Sequence, residues 1–340
     1  MQDEYGYVSS ALLSEKKIKS PGTAPGKDDR HRLFMLCFSL GFLFITYLLL
    51  QKLFAYFLKS NKTLLAFYTG SLYGNCIIEA VFQAVVVFLP FFIGFLVIRK
   101  VFFPEVKDII SYKKPADGSV FALVVLSGLA LIIVCEMIAA FTQFMIQKIG
   151  VTYYTPVLPN PETPGEYAAD AVVTAVFPAV IEEFAFRGVV LQTLRRYGDR
   201  FAIFSTALIF GCMHGNIPQI LFNVLYGLVL GYAAVITNTI WASMSLHFIN
   251  NFFIVTLDAV SSGSYKIMSM VYIISAFVFL AAGISAMYTL EVYHRNDIKP
   301  MFSRSAKYSG TCFAVFITCP TVAGTLAYLI YTVAKGMSVS

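Results

Sequence analysis

Long apolar runs constrain this chain more than any other feature of its sequence. Most of them are long enough to cross about 30 Å of hydrocarbon as helices, which takes roughly 20 residues each. Since only 13% of the residues are charged, against about 25% in soluble domains, the chain cannot build a polar surface around a soluble core. We therefore predict an all-α, polytopic transmembrane helix bundle of about nine spans, with a range of eight to ten. The runs cover residues 33–51, 75–98, 119–147, 168–192, 201–214, 217–236, 240–260, 267–290 and 308–334.

The distribution of basic residues predicts the orientation of this bundle. With the N-terminus inside, 18 of the 25 lysines and arginines fall on the inner side, six fall on the outer side, and Arg187 lies within a span. Cytoplasmic loops of membrane proteins are enriched in Lys and Arg, so we predict that the N-terminus is cytoplasmic and the C-terminus outside. The net charge of +6 therefore reports topology and implies no nucleic-acid partner. Residues 1–32 are polar, lack an apolar signal segment and are predicted to form a disordered cytosolic tail.

Ionisable side chains inside the spans are the candidate functional residues, because each costs about 2.5–3.5 kcal/mol on insertion scales. The fourth run carries Glu182, Glu183 and Arg187. Glu183 and Arg187 are four residues apart and can form an ion pair on one helix face. Glu182 is turned about 100° away from that pair, so it is free to point into the bundle as a proton acceptor. The alternative is a structural pair beside an unused glutamate.

Two histidines also lie in apolar runs. His214 ends the fifth run, and His247 shares one face of the seventh run with Asn251, four residues further on. Hydrogen bonding between helices is the structural alternative for these residues. Counted from the inner span ends, Glu182 and His247 lie about 12 Å deep and His214 about 20 Å deep. We therefore expect these side chains to converge in a site that opens toward the cytoplasmic side.

One carboxylate, two imidazoles and an amide are the groups needed to hydrolyse a peptide bond. Glu182 with His214 would hold and deprotonate a water molecule, while His247 and Asn251 would stabilise the tetrahedral oxyanion. A metal site is an open alternative, since Glu182, His214 and His247 would leave the fourth position of a zinc ion free. No H-E-x-x-H motif makes that alternative specific.

Two carboxylates in the second and third runs are weaker candidates. Glu79 and Glu136 are expected either to line a substrate channel or to pair across helices. Asp258 is expected at the outer membrane interface.

Three motifs, in order along successive runs, resemble those of the CPBP family of intramembrane proteases. This family is named for CAAX processing and bacteriocin processing and is related to the prenyl-protein endopeptidase Rce. The resemblance covers residues 168–256, the CPBP-like catalytic core, and leaves N-terminal transmembrane helices at 33–147 and C-terminal ones at 267–340 outside it. The motifs are Glu182-Glu183-x-x-x-Arg187, Phe210-x-x-x-His214 and His247-x-x-x-Asn251.

The resemblance implies a role for each motif residue. Glu182 matches the essential first glutamate, and His214 matches its partner in activating water. His247 and Asn251 match the oxyanion side of the site. Glu183 and Arg187 match the supporting residues. The family carries the name metalloprotease, yet a metal-free glutamate mechanism is also argued for it, so a zinc cofactor stays open.

We therefore expect a multi-pass endopeptidase of a bacterial plasma membrane. Its expected partners are the lipid bilayer and membrane-associated or lipidated protein and peptide substrates. The alternative is a proton- or ion-coupled transporter, or a noncatalytic membrane scaffold, that uses the same carboxylates and histidines. The order of the three motifs and the lack of an inverted repeat in the sequence favour the enzyme.

Overall fold

The computed structural model describes residues 27–105, 109–115, 117–153, 161–214, 216–261, 264–295 and 309–339. Within these residues the chain forms eleven helices and two strands of three residues, which confirms the predicted all-α bundle. The helices are α1 (Lys27–Ser60), α2 (Lys62–Gly70), α3 (Leu72–Phe102), α4 (Gly118–Lys148), α5 (164–194), α6 (Asp199–Cys212), α7 (Ile217–Ile236), α8 (Trp241–Ser261), α9 (Tyr265–Tyr293), α10 (Ser309–Thr318) and α11 (Pro320–Gly336). The strands are β1 (Val151–Tyr153) and β2 (Met337–Val339).

Each predicted apolar run corresponds to one helix, except the last, which corresponds to two, but nine membrane crossings are not confirmed. Among the described residues, five helices are long and apolar enough to cross a membrane, namely α1, α3, α4, α7 and α9. A sixth span results if α10 and α11, which are bent by 71° relative to each other, form one broken span. Helix α6 has only 14 residues, and α5 and α8 carry the polar residues of the site described below.

The first helix begins earlier than the sequence predicted. Residues 27–32 were expected to belong to a disordered tail, but α1 starts at Lys27. Asp28 and Asp29 lie in its first turn, where carboxylates interact favourably with the positive end of the helix dipole. The helix therefore continues past the apolar run, and the rest of the predicted tail, residues 1–26, lies outside the described residues.

Polar caps define where several helices begin. The Asn61 side chain accepts hydrogen bonds from two backbone N–H groups of α2, and Ser71 accepts one from Gly74 in α3. Thr163 and Glu166 form a reciprocal capping box at the start of α5, and Asn216 caps α7. Such caps satisfy the free N–H groups of the first turn, and they therefore fix the ends of the helices that carry the site.

Aromatic side chains pack α1, α3, α5 and α6 against one another. Phe186 of α5 stacks on Phe44 of α1 with ring centroids 6.5 Å apart. It also meets Phe91 of α3 at 5.7 Å and Phe210 of α6 at 5.0 Å. Aromatic pairs contribute about 0.5–1.5 kcal/mol each beyond area burial, and in lipid such packing drives helix association. This cluster fixes the register of α5, and with it the positions of Glu182 and Glu183.

Side-chain contacts gather several basic loops at one end of the bundle. This basic end comprises the start of α1, the segment 109–115 and the turns 195–198 and 237–240. The Arg195 guanidinium donates to the Asn238 side chain at 3.3 Å, and the Trp241 indole N–H donates to the Tyr112 carbonyl at 3.0 Å. The charged groups of α1 at Asp29 and Arg32 act on Tyr197 in the same region.

The opposite end of the bundle contains the α6–α7 turn and the two strands. Strands β1 and β2 pair antiparallel, with Val151 opposite Val339. They join the chain segment after α4 to the segment after α11. Cys212 and Ile217, at the α6–α7 turn, line an apolar groove together with Val333 near the end of α11. The C-terminal strand and the α6–α7 turn therefore lie at the end away from the basic loops.

We expect the basic end to face the cytoplasm and the C-terminal strand to face the outside. An epitope tag fused after Ser340 should be accessible to antibody or protease in intact cells, whereas a tag before Met1 should become accessible only after the membrane is opened. The expected difference follows from the excess of Lys and Arg at the basic end. A C-terminal tag that is protected in intact cells would show that this orientation is wrong.

Candidate active site

The buried centre of the site is a carboxylate shared by two basic groups. Glu183 Oε1 accepts a hydrogen bond from Arg187 Nη1 at 2.6 Å and another from His247 Nδ1 at 2.8 Å. The side chains of Glu183 and Arg187 are fully buried. The ion pair predicted within α5 is therefore present, and it extends to a histidine on α8.

The surroundings of Arg187 hold it in one position. Its guanidinium lies over the Phe210 ring, 4.4 Å from the ring centroid, a cation–π arrangement. Its Nη2 atom donates to the Gly227 carbonyl at 3.4 Å. Helices α6 and α7 approach closely there, since a Cβ on Gly227 would lie only 3.0 Å from the Ala207 Cα. A glycine at this position therefore permits the packing that brings its carbonyl to Arg187.

Helix α5 contains two widened π-helical turns around the site. In the turn Phe184–Val190, the Leu191 N–H donates to the Phe186 carbonyl five residues back. A second such turn covers Ala171–Val176 and lies directly before Pro178. π-Turns within α-helices are found preferentially at functional sites. Here they set the direction in which the side chains of α5 project.

One cavity brings the predicted catalytic residues together. It has a volume of about 350 Å³ and is lined by Glu182, His214, His247 and Asn251. These residues come from α5, from the short segment that links α6 to α7, and from α8. Glu182 lies on the cavity, whereas the neighbouring Glu183 is buried beside it, as the helical spacing predicted. Further lining residues include Asn75, Glu79, Gln83, Thr174, Pro178, Asn223, Tyr226 and Asn250.

Hydrogen bonds to protein acceptors define the free nitrogen of each imidazole. His214 Nδ1 lies 2.9 Å from the Phe210 carbonyl, so Nδ1 carries the proton and Nε2 is the remaining acceptor. His247 Nδ1 donates to the Glu183 carboxylate, which leaves its Nε2 as the second free nitrogen. The Glu182 carboxylate is close enough to His214 to interact with it electrostatically. Both rings therefore have a nitrogen available for a bound water or substrate.

The Asn251 side chain has fewer free groups than the sequence suggested. Its Nδ2 donates to the Thr174 carbonyl in a π-turn of α5 at 3.0 Å, and its Oδ1 accepts from Asn250 at 3.2 Å. One N–H of the amide remains for an oxyanion. Asn251 therefore links α8 to α5 as well as facing the cavity.

The cavity extends from the catalytic groups toward the opposite end of the bundle. Asn75 and Glu79 lie in the first turns of α3, and Asn223 lies near the start of α7. This differs from the predicted opening toward the cytoplasmic side. That expectation relied on a span ending near Val190, whereas α5 runs on to Leu194, which puts Glu182 about 18 Å from the basic end.

Sequence reasoning missed Tyr226. Its side chain is 2% exposed, lines the cavity and packs edge-on against the His247 ring at 5.5 Å between centroids. Its hydroxyl is buried and has no hydrogen-bond partner among the described residues. A tyrosine in an apolar helix looks the same in sequence whether it faces lipid or a site, so only its position beside Gly227 was a signal. The α3 residues had a clearer signal, since Asn75, Glu79 and Gln83 recur at four-residue intervals.

The proposed zinc ligands do not form a metal site in this arrangement. Glu182, His214 and His247 line the same cavity, but in the part of the chain that the structure describes no group of three or more His, Cys, Asp or Glu side chains is placed to hold a metal ion. The described residues therefore do not place these three side chains around the zinc ion that the sequence left open.

The fold and the cavity define a multi-pass membrane protein with a buried polar site between helices. Residues 164–253 match the family model described as type II CAAX prenyl endopeptidase Rce1-like. This region, from the start of α5 into α8, is therefore similar to that family, which confirms the resemblance found in the motifs. No curated protein and no solved structure gives a significant match to the chain.

Proposed function

We propose that this protein is an intramembrane endopeptidase that cleaves membrane-associated or lipidated proteins and peptides. The observation that carries the proposal is the single cavity lined by Glu182, His214, His247 and Asn251. A carboxylate and two imidazoles at one cavity inside an apolar bundle supply both a proton acceptor and groups that stabilise an oxyanion. The description of the matched family, a prenyl endopeptidase, supports the same reaction.

In the proposed reaction, Glu182 accepts a proton from a water molecule that also hydrogen-bonds to His214 Nε2. The resulting hydroxide attacks the carbonyl carbon of the scissile bond. The negative charge on the carbonyl oxygen is stabilised by the remaining N–H of Asn251 and by His247 when its Nε2 carries a proton. The carbon–nitrogen bond then breaks as Glu182 returns its proton to the leaving amine. Water is the only reactant that this scheme requires besides the peptide.

Glu183 and Arg187 are positioning residues in this proposal. Glu183 holds His247 through Nδ1, which directs Nε2 away from the ion pair. Arg187 compensates the charge of Glu183 in a fully buried environment. A buried charge without a partner is costly, so the arginine keeps the carboxylate ionised and the histidine oriented.

The proposal is tested by cleavage assays on the purified protein in detergent. We expect it to cleave prenylated or membrane-derived peptides, with products identified by mass spectrometry, and we expect His214→Ala to lower the rate at least about 10²-fold. His31→Ala is the matched control, because His31 is exposed at the start of α1. Ion flux in proteoliposomes without any cleavage product would instead support the transporter alternative.

We further propose that the protein resides in a bacterial plasma membrane. Its substrates are then membrane proteins or peptide precursors of the same cell. Comparing the membrane proteomes of cells that express the wild-type chain and Glu182→Gln identifies them, since uncleaved substrates accumulate only with the variant.

A further inference from the structure

The wall of the cavity formed by α3 lies outside the family match and has its own pattern of polar groups. Asn75, Glu79 and Gln83 are spaced four residues apart and all line the cavity. Residues at this spacing stack along one helix face about 6 Å apart. The wall, here called the α3 wall, therefore runs from the opposite end of the bundle toward the reactive groups.

The α3 wall faces the catalytic helix directly. Phe88 of α3 packs against Phe184 of α5 with ring centroids 5.5 Å apart. Gln83 begins a π-helical turn of α3, Gln83–Phe88, in which the Leu89 N–H donates to the Ala84 carbonyl. Val173, Thr174 and Pro178 of α5 line the cavity with this wall. Helices α3 and α5 therefore form two sides of the cavity at Glu182.

Two polar groups that line the cavity have no hydrogen-bond partner among the described residues. Gln83 Oε1 and the Tyr226 hydroxyl are buried without a hydrogen bond among the described residues. Buried polar atoms are nearly always paired in folded proteins. An amide N–H can pair with Gln83 Oε1, and a carbonyl can accept from Tyr226. A peptide backbone supplies both groups.

Glu79 has a carboxyl group that no cation among the described residues pairs with. Its Oε1 accepts a hydrogen bond from the Tyr68 hydroxyl at 3.0 Å, and none of the ion pairs found among the described residues includes it. Glu183 differs, since both Arg187 and His247 pair with it. Tyr68 thus orients the Glu79 carboxylate on the cavity without neutralising it.

The electrostatic surroundings of Glu79 are acidic. Glu79, Glu166 and Asp170 all lie close enough to Cys76 to act on its thiol electrostatically. Of these three residues, Glu79 lines the cavity. Carboxylates in and near a cleft with low-dielectric walls focus the field and attract cations. The end of the cavity at the start of α3 and α5 therefore favours a positively charged group.

We propose that the α3 wall is a substrate-binding subsite in which Glu79 binds a basic side chain, lysine or arginine, of the peptide to be cleaved. The proposal rests on the proposed endopeptidase function and adds a substrate preference to it. Gln83 and Tyr226 bind the backbone of the same peptide. An α-amino group at the peptide N-terminus is also a cationic amine and could bind Glu79 in the same way. The experiment below therefore distinguishes a lysine side chain from a terminal amine.

The test uses a set of internally quenched, N-acetylated apolar peptides in which one lysine is moved along the sequence and is matched by norleucine at the same position. At one position we expect kcat/KM for the lysine peptide to exceed that for the norleucine peptide about tenfold, the effect of one hydrogen-bonded charge. Glu79→Gln is expected to bring this ratio close to one. The same peptides without the acetyl group show whether a terminal amine replaces the lysine.

Glu136→Gln is the matched control, because Glu136 on α4 also accepts a hydrogen bond from a tyrosine, Tyr272 at 2.6 Å, but does not line the cavity. It should keep the lysine preference. A lysine preference that survives Glu79→Gln, or that is absent from the wild-type protein, would overturn the proposal.

Binding of the fluorescent lysine peptides, measured by anisotropy on the Glu182→Gln variant, separates this outcome from a failure of the proposed function. Adding Glu79→Gln to the Glu182→Gln variant should weaken the binding of the lysine peptide, even if no peptide is cleaved.

Discussion

Replacement of Glu182 by glutamine is expected to reduce peptide cleavage by at least about 10²- to 10⁴-fold, the range supplied by a general base. Glutamine has nearly the same shape but cannot accept a proton from water. The side chain lies on the cavity and is separate from the buried pair of Glu183 and Arg187, so the substitution leaves the ion pair intact. The loss is therefore expected in kcat, with the fold preserved.

The measurement compares kcat and KM of purified Glu182→Gln, Glu136→Gln and the wild-type protein on one cleavable peptide. Thermal unfolding in the same detergent shows whether each variant is folded. Glu136→Gln removes another carboxylate of an apolar helix, one that does not line the cavity, so it should retain activity. Full activity of a folded Glu182→Gln variant would refute the assignment of the base.

Replacement of Arg187 by alanine is expected to destabilise the protein by about 3–5 kcal/mol, because it leaves the buried Glu183 carboxylate without its cation. Arg187 also contacts the Phe210 ring and the Gly227 carbonyl, so α5 loses links to both α6 and α7. Cleavage should fall as well, since Glu183 orients His247.

The control for Arg187→Ala is Arg295→Ala, which removes the arginine of an exposed ion pair with the same four-residue spacing. Arg295 and Glu291 are four residues apart with N–O contact at 2.8 Å, and their side chains are 57% and 65% exposed. Exposed pairs contribute about 0–1 kcal/mol, so Arg295→Ala should change the unfolding temperature little. The double variant Arg187→Ala with Glu183→Gln should recover part of the lost stability, because the buried charge is then gone. Equal unfolding temperatures for Arg187→Ala and Arg295→Ala would contradict the role of the buried pair.

The local part of the site could be predicted from the sequence. Helical spacing placed Glu183 and Arg187 on one face and turned Glu182 away from them, and the structure has this arrangement. Ionisable residues stand out in apolar runs because insertion penalises them. The three motifs then identified the family region that the match to residues 164–253 confirms.

Contacts between distant residues could not be predicted in the same way. The bond between Glu183 and His247 joins residues 64 positions apart, and the bond from Asn251 to the Thr174 carbonyl depends on a π-turn in α5. Residue counting also misplaced the direction of the cavity, because it took the end of an apolar run for the end of a helix.

The sequence by itself determined that the chain is a helical membrane protein, which of its ionisable residues lie inside apolar runs and which family their motifs resemble. These properties follow from composition, helical period and motif order, all of which are local. Only the tertiary structure decided that Glu183 holds His247, that Tyr226 and the α3 wall complete the cavity, and that the cavity extends away from the basic end. The physical reason is that apolar helices can pack in many registers, and only packing such as that of Phe186 against Phe44, Phe91 and Phe210 selects one of them.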